Sequence, residues 1–353
     1  MSTFDSEPSD TLIKLLLVGP HKIGKTHYAM MAAEAGFKVF YMDGDVARPT
    51  LNKLSPEAKK RLYYMNVGDY IDSNGNYVTH FADTMKNVVT ARGSVVWNQT
   101  KQRLFSVKEY EPTDHVAVIR PSRMGWESVW VVDSWSSYAN SIKNWKADSL
   151  GEDLGDVEKF GQDLYAGCGN KATQTLVMIQ AARTNVIVIA HVDEYTKMRK
   201  PIGAKGNVQQ KDMTIAAIDA IPTSTSKPHG ATMGKHFTDM GYLEFKGPNR
   251  RINFQGQEGR LAGGHLEGRN LSADEGSFLE LLKAGGARIP TPEEANAPIP
   301  WLTSYGPGEY DPKAAATSMV SGGAPQKPAG NTLNPAAAPK KLGGLGGMMK
   351  GKL

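Results

Sequence analysis

The sequence predicts an α/β protein: a central, mostly parallel sheet with helices on its faces, organised around a phosphate-binding loop. Three stretches carry that prediction. Leu12–Val18 is an apolar run broken only by Lys14, and GPHKIGKT follows it at Gly19–Thr26. SVWVVDS at Ser128–Ser134 is a second apolar run that ends in polar residues. NVIVIAH at Asn185–His191 is a third. Near-continuous apolar strands are what a sheet covered on both faces requires. Parallel strands also bring their carboxyl ends, where ligands bind, to one edge.

Gly19–Thr26 match G-x-x-x-x-G-K-[ST] at every fixed position. Gly19 turns the chain out of the strand, and Gly24 lets the backbone approach a phosphate. Backbone N–H groups of His21, Lys22, Ile23, Gly24, Lys25 and Thr26, with His27 next to them, then form an anion cradle at the positive end of a helix. The apolar positions Tyr28, Met31, Ala32 and Ala35 carry that helix onward. Lys25 is placed to reach β- and γ-phosphates, and Thr26 offers a hydroxyl to Mg²⁺. A nucleoside triphosphate with Mg²⁺ is the ligand this loop predicts.

The next strand, Phe37–Asp43, runs into Asp43-Gly44-Asp45. Beside a phosphate loop, one such carboxylate orients Mg²⁺ or its waters, and the other positions or deprotonates an attacking water. A polar turn that caps a helix accounts for the same residues. Ser128–Ser134 has the shape of a Walker B strand, with Asp133 as the magnesium carboxylate and Ser134 fixing it. His191, at the end of the third apolar run, is expected beside the loop. There it contacts the γ-phosphate or the water, or it is a strand-end histidine satisfied by its neighbours.

Around this frame, residues 1–11 form a disordered lead-in and 12–284 the folded domain, with a partly β insertion at about 61–127. The insertion holds a turn at Ser73–Asn76, a helix near 80–91 and strand-like runs at Ser94–Trp97, Leu104–Val107 and Val116–Ile119. Its Trp97, Phe105 and Tyr110 suit a small core. Residues 135–183 are mainly helical, with an acidic, Gly-containing break at 149–156. Val192–Gly230 lacks a period and predicts a mobile basic loop. Its Lys197, Arg199, Lys200, Lys205 and Lys211 either hold nucleic-acid phosphates or are simply solvated. Met240–Lys246 and Arg251–Gln257 form a β-hairpin around Gly247-Pro248-Asn249. At its tip Lys246, Arg250 and Arg251 are a cation for a neighbouring subunit's nucleotide, or an ordinary charged turn. A short helix covers 271–284, and 285–353 is a Pro-, Gly- and Ala-rich disordered tail.

The composition of this 353-residue chain, 40% hydrophobic and 22% charged, is that of a soluble globular protein. No apolar run nears the ~18 residues of a membrane span, and the acidic MSTFDSEPSD start excludes a signal peptide. Cys168, the only cysteine, permits no intrachain disulfide and suits a reducing cytosol as a small buried residue. The eight histidines show no zinc spacing. The net charge of +5 comes from six lysines after Pro312, where no acid occurs, so it gives no basic binding face to the core. No repeat of 20–50 residues is visible.

The order strand, GPHKIGKT, strand, DGD, VVDS, helices, VIVIAH, basic loop and hairpin resembles the RecA/RadA-like core of ATPases over roughly residues 10–270. It is most similar to the phage-encoded, ATP-binding AAA-type family that includes single-strand-annealing recombination proteins. That resemblance implies an ATPase using ATP and Mg²⁺ and acting on single-stranded DNA in recombination, annealing or replication. It implies a cytoplasmic protein, in a host cell if phage-encoded, and a homo-oligomer. Under it Lys25, Asp45 and His191 are the catalytic set, Asp45 as the water-activating acid and His191 as the γ-phosphate sensor. Thr26 and Asp133 hold the metal, residues 193–230 contain a DNA loop, and the tail is an arm for DNA or a single-strand-binding protein. Asp45 is shorter than the family's usual Glu, and the 149–156 break is acidic where a DNA loop would lie. Two other readings fit the same loop: a P-loop nucleoside or polynucleotide kinase, and a nucleotide-gated assembly protein with little turnover.

Overall fold

Apolar residues alternate between the two faces of a mixed, mostly parallel central sheet, so that one sheet separates two cores. The computed structural model describes residues 11–45, 48–91, 93–150, 162–199, 214–256, 262–273 and 277–312. Within them the sheet has nine strands. In chain order they are β1 (Lys14–Val18), β2 (Lys38–Asp43), β3 (Leu62–Asn66), β4 (Ser128–Asp133), β5 (Asn185–Ala190), β6 (Asp239–Lys246), β7 (Asn249–Asn253), β8 (Gly263–Gly264) and β9 (Asn270–Ser272). The spatial order is β9-β7-β6-β1-β5-β4-β2-β3, with β8 also on β6. The run from β6 to β3 is parallel throughout, and β7, β8 and β9 add an antiparallel edge.

Five longer helices cover the faces: α1 (Lys25–Glu34), α2 (His80–Thr90), α3 (Trp135–Leu150), α4 (Gln162–Ala181) and α5 (Ser277–Ala284). Leu16, Val18, Phe40, Met42, Trp130 and Val132 point into one core, with Phe81 of α2, Tyr138 of α3 and Leu176 of α4. Leu15, Leu17, Val39, Tyr41, Val129 and Val131 point into the other, with Tyr28 of α1 and Phe278 of α5. The period of two explains why β1, β2 and β4 are buried along their whole length. Lys14, the one break in the first apolar run, is buried as well. Its ammonium donates to the carbonyls of Ala182 (2.5 Å) and Thr184 (2.6 Å) just past α4. A cation there satisfies carbonyls that a helix end leaves without partners.

The insertion is partly β, as expected, though its first strand, β3, belongs to the central sheet. Val95–Asn98, Arg103–Leu104 and Val116–Ile119 form a separate four-stranded sheet with Leu302–Tyr305, which lies at one edge, beside Val116–Ile119. Trp97 is fully buried, and Phe105 and Tyr110 cluster with Tyr310.

Three expectations need correction. First, the stretch expected as a mobile loop has regular structure at both ends. Val192–Arg199 and Thr214–Pro222 pair as an antiparallel hairpin, and a short helix follows at Lys227–Thr232. The apolar stretch IAAI at residues 215–218 is the part of the sequence that signals the second arm. Second, residues 285–312 are not tail. They hold a helix at Pro292–Asn296 with a complete capping box at Thr291 and Glu294, and then the strand Leu302–Tyr305. Trp301 is fully buried, edge-on to Phe40 and Tyr63, and donates to Ser128 Oγ at 2.9 Å. Proline and glycine dominate the composition there, but one tryptophan supplies the anchor. Third, the helix expected at 271–284 is shorter, because β9 takes its first residues. The tail from residue 313 and the lead-in through residue 10 lie outside the described residues.

Replacing Trp301 by Ala is expected to destabilise the fold by about 3–5 kcal/mol, the range for emptying a buried aromatic site, measured by urea unfolding. Removing residues 313–353, a segment without acidic residues that the sequence predicts to be a tail, should leave the urea midpoint unchanged.

Candidate functional site

The sheet register sets the site. Val18 lies opposite Ala190, Ile189 opposite Asp133, and Asp133 opposite Asp43. The carboxyl ends of β1, β5, β4 and β2 therefore reach one edge, and the chain continues from them into Gly19–Thr26, His191, Ser134 and Gly44-Asp45. A cavity of about 680 Å³ opens there, with Gly24, Lys25, Thr26, Asp45, Asp133 and His191 in its wall.

Gly24 sits at φ +100° as the residue before α1 and has no side chain to cap the helix. At Gly19 an added Cβ would stand 2.7 Å from the carbonyl oxygen of Leu243, so only glycine lets β6 pass this close. Lys25 is buried. Its ammonium is folded back onto the loop, donating to the Gly19 and Pro20 carbonyls at 2.7 Å each and standing 3.4 Å from His191 Nδ1. Burial lowers its pKa to about 8, against the attraction of Asp133 and Asp45.

Asp133 is almost completely buried. Thr26 Oγ1 donates to its Oδ2 at 2.6 Å, and the Tyr41 hydroxyl donates to the same oxygen. Burial raises the carboxyl to about 6, opposed by those two donors. At neutral pH it is thus ionised, as is Lys25. The Asp133–Ser134 peptide bond is cis. Asp45 is shallower. Its Oδ2 meets His191 Nε2 at 3.0 Å, and the Ser137 hydroxyl donates to its other oxygen. Burial pushes the Asp45 carboxyl up, but hydrogen bonds from His191, Ser137 and Ser134 outweigh it and hold it below the ordinary carboxylate value. Asp43 accepts from the Asp45 backbone N–H at 2.9 Å and from the Tyr64 hydroxyl at 2.5 Å.

His191 is held from three sides. Its backbone N–H donates to Ser136 Oγ at 2.9 Å, and its ring stacks on His21 at a centroid distance of 3.7 Å. Its carbonyl accepts from the Thr223 N–H at 2.9 Å. The 192–222 hairpin therefore leaves and returns at this residue.

The structure thus gathers Gly19, His21, Lys22, Ile23, Gly24, Lys25, Thr26, His27, Asp45, Asp133 and His191 at one edge. Of the five basic residues expected to contact DNA, two fall within the described residues. Lys197 and Arg199 lie on the first arm of the 192–222 hairpin, and Lys200, Lys205 and Lys211 lie outside the described residues. The cations at the tip of the other hairpin separate. Arg251 is a tie at the sheet edge, donating to the Asn270 side chain at 2.6 Å and to its carbonyl at 2.5 Å. Arg250 reaches the cavity of its own chain, together with Phe245.

Sequence reasoning missed Tyr41, Tyr64, Ser136 and Ser137. Tyr41 was within reach of it, since the period of two puts it on the same face as Asp43. The serines open the helix after Ser134, where caps and polar contacts concentrate.

Among the described residues, no cluster of three or more His, Cys, Asp or Glu is arranged as a metal site. Thr26 Oγ1 and Asp133 Oδ2 do place two hard oxygen atoms side by side at the loop. Mg²⁺ asks little more of a protein when phosphate and water complete its shell, so these residues fit it. No family model matches the chain, and no curated protein matches it significantly. Among the described residues no helix is long and apolar enough to cross a membrane.

Tyr41→Phe removes one of the two side-chain donors to the buried carboxylate. Stability at pH 7 should fall by about 1–3 kcal/mol, read by urea unfolding. The deficit should shrink as pH falls through about 6, where Asp133 takes up a proton in the folded state.

Proposed function

We propose that this chain is a RecA-like ATPase that binds Mg-ATP at the 19–26 loop and couples its hydrolysis to action on single-stranded DNA in the cytoplasm. One observation supports the reading above the others. A lysine, a threonine–aspartate pair and an aspartate–histidine pair, drawn from four parallel strands, surround one cavity at the start of α1.

On this reading each side chain has a definite task. Lys25 exchanges the Gly19 and Pro20 carbonyls for phosphate oxygens, a stronger, charge-assisted set of acceptors. Thr26 and Asp133 hold Mg²⁺, which when bound neutralises charge on the phosphate oxygens. Asp45, ionised and fixed by Ser137, takes the proton of the attacking water or orients it. His191 bridges Asp45 and Lys25, so a phosphate that draws Lys25 forward changes the partners of His191. The backbone of His191 is the base of the 192–222 hairpin, and that is how occupancy of the cavity would reach DNA bound on the hairpin arms. Phosphoryl transfer needs little beyond such positioning and charge compensation.

The deciding measurement is ATP hydrolysis by the full chain, with and without single-stranded DNA, across a salt series. DNA-stimulated turnover that weakens with salt is expected. ATP binding with negligible turnover would instead favour the nucleotide-gated assembly protein, and phosphate delivered to an acceptor would favour the kinase. Lys25→Ala should abolish hydrolysis, and hydrolysis at the parent rate would remove the mechanism. Asp45→Ala should stop turnover while nucleotide affinity stays largely intact; lost affinity would assign Asp45 to the metal.

A further inference from the structure

The β6–β7 hairpin carries a row of side chains that starts in the core and ends in the cavity. Leu243 pairs with Ile252, and both are fully buried over α1. Two residues further toward the tip, Phe245 pairs with Arg250. The period of two puts that pair on the same face. Both line the cavity at the loop, although Phe245 is 60% exposed. The intervening pair, Glu244 and Arg251, belongs to the other face. Arg250 lies directly against the loop, since a Cβ built on Gly24 would collide with its guanidinium. Lys22 and Lys53 share the same wall, so the mouth of the cavity is basic with one aromatic surface.

We propose that Phe245 and Arg250 form a nucleotide clamp supplied by the same chain that carries the loop. Phe245 stacks on the nucleobase, and Arg250 binds the phosphate chain from the side away from Lys25. This rests on the triphosphate reading of the cavity. The chemistry follows from the two side chains. A guanidinium presents a planar fork that matches phosphate oxygens. A phenyl ring offers stacking area and no hydrogen bond, so it holds a base without reading its edge. The clamp therefore favours nucleoside triphosphates as a class over any one base. It also assigns the tip cation to its own subunit and not to a neighbour's nucleotide.

The test is binding calorimetry of the full chain with ATP, GTP and inorganic tripolyphosphate. The parent should bind ATP and GTP within a few fold of each other. Phe245→Ala should weaken both by about tenfold and leave tripolyphosphate unchanged. Arg250→Ala should weaken all three, and Arg250→Lys should fall between. Unchanged urea midpoints will show that the variants fold. Lys25→Ala and Arg250→Ala chains are also mixed and assayed for hydrolysis. Action within one chain predicts no recovery, and recovery above the sum of the parts would overturn it. Equal loss of tripolyphosphate and ATP in Phe245→Ala would overturn the base-stacking role. If the parent binds none of the three ligands, the triphosphate reading itself falls. If it binds them with dependence on Lys25 while the Phe245 and Arg250 variants match the parent, only the clamp falls.

Discussion

The buried Asp133 carboxylate is the constraint on which the site depends. A charge taken out of water is tolerated only where donors replace the solvent. Here they are Thr26 at the start of α1 and Tyr41 on β2, the strand paired with the one that carries the acid. The end of the 19–26 loop, the second strand and the fourth strand are consequently locked to one another at a single oxygen atom. The shallower groups, Asp45, His191 and Lys25, are arranged around that point and share partners instead of each having its own.

The same constraint explains why much of the architecture was readable in advance. Strands buried on both faces must be largely apolar, so β1, β4 and β5 appear as apolar runs, the first broken by Lys14, and each gives way to glycine or polar residues at the edge of the sheet. The strand register then brings their carboxyl ends to one edge. Asp133 closes β4, His191 follows β5, and Asp45 lies two residues past β2. Lys14 shows the limit of that logic. Its charge inside an apolar strand is explained only by carbonyls more than 160 residues away in the chain.

What sequence reading missed has a common physical cause. The 285–312 segment and the 192–222 hairpin were judged by composition, yet each is held by contacts that composition does not report: Trp301 against Phe40 and Tyr63, and strand pairing that closes at His191. Arg250 and Arg251 are neighbours in sequence and look alike. Alternation along β7 sends one to the cavity and the other to Asn270. The difference lies in the parity of their positions, and only a settled register reveals it.

The strand Leu302–Tyr305 completes a sheet whose other members lie between residues 95 and 119. Trp301, one residue earlier, covers the start of β4. During synthesis on the ribosome, the small sheet and the flank of the large one must therefore wait, open, until the chain has grown past residue 305. The nascent protein exposes apolar surface over that interval, and a strand that emerges almost 200 residues after its partners seals it.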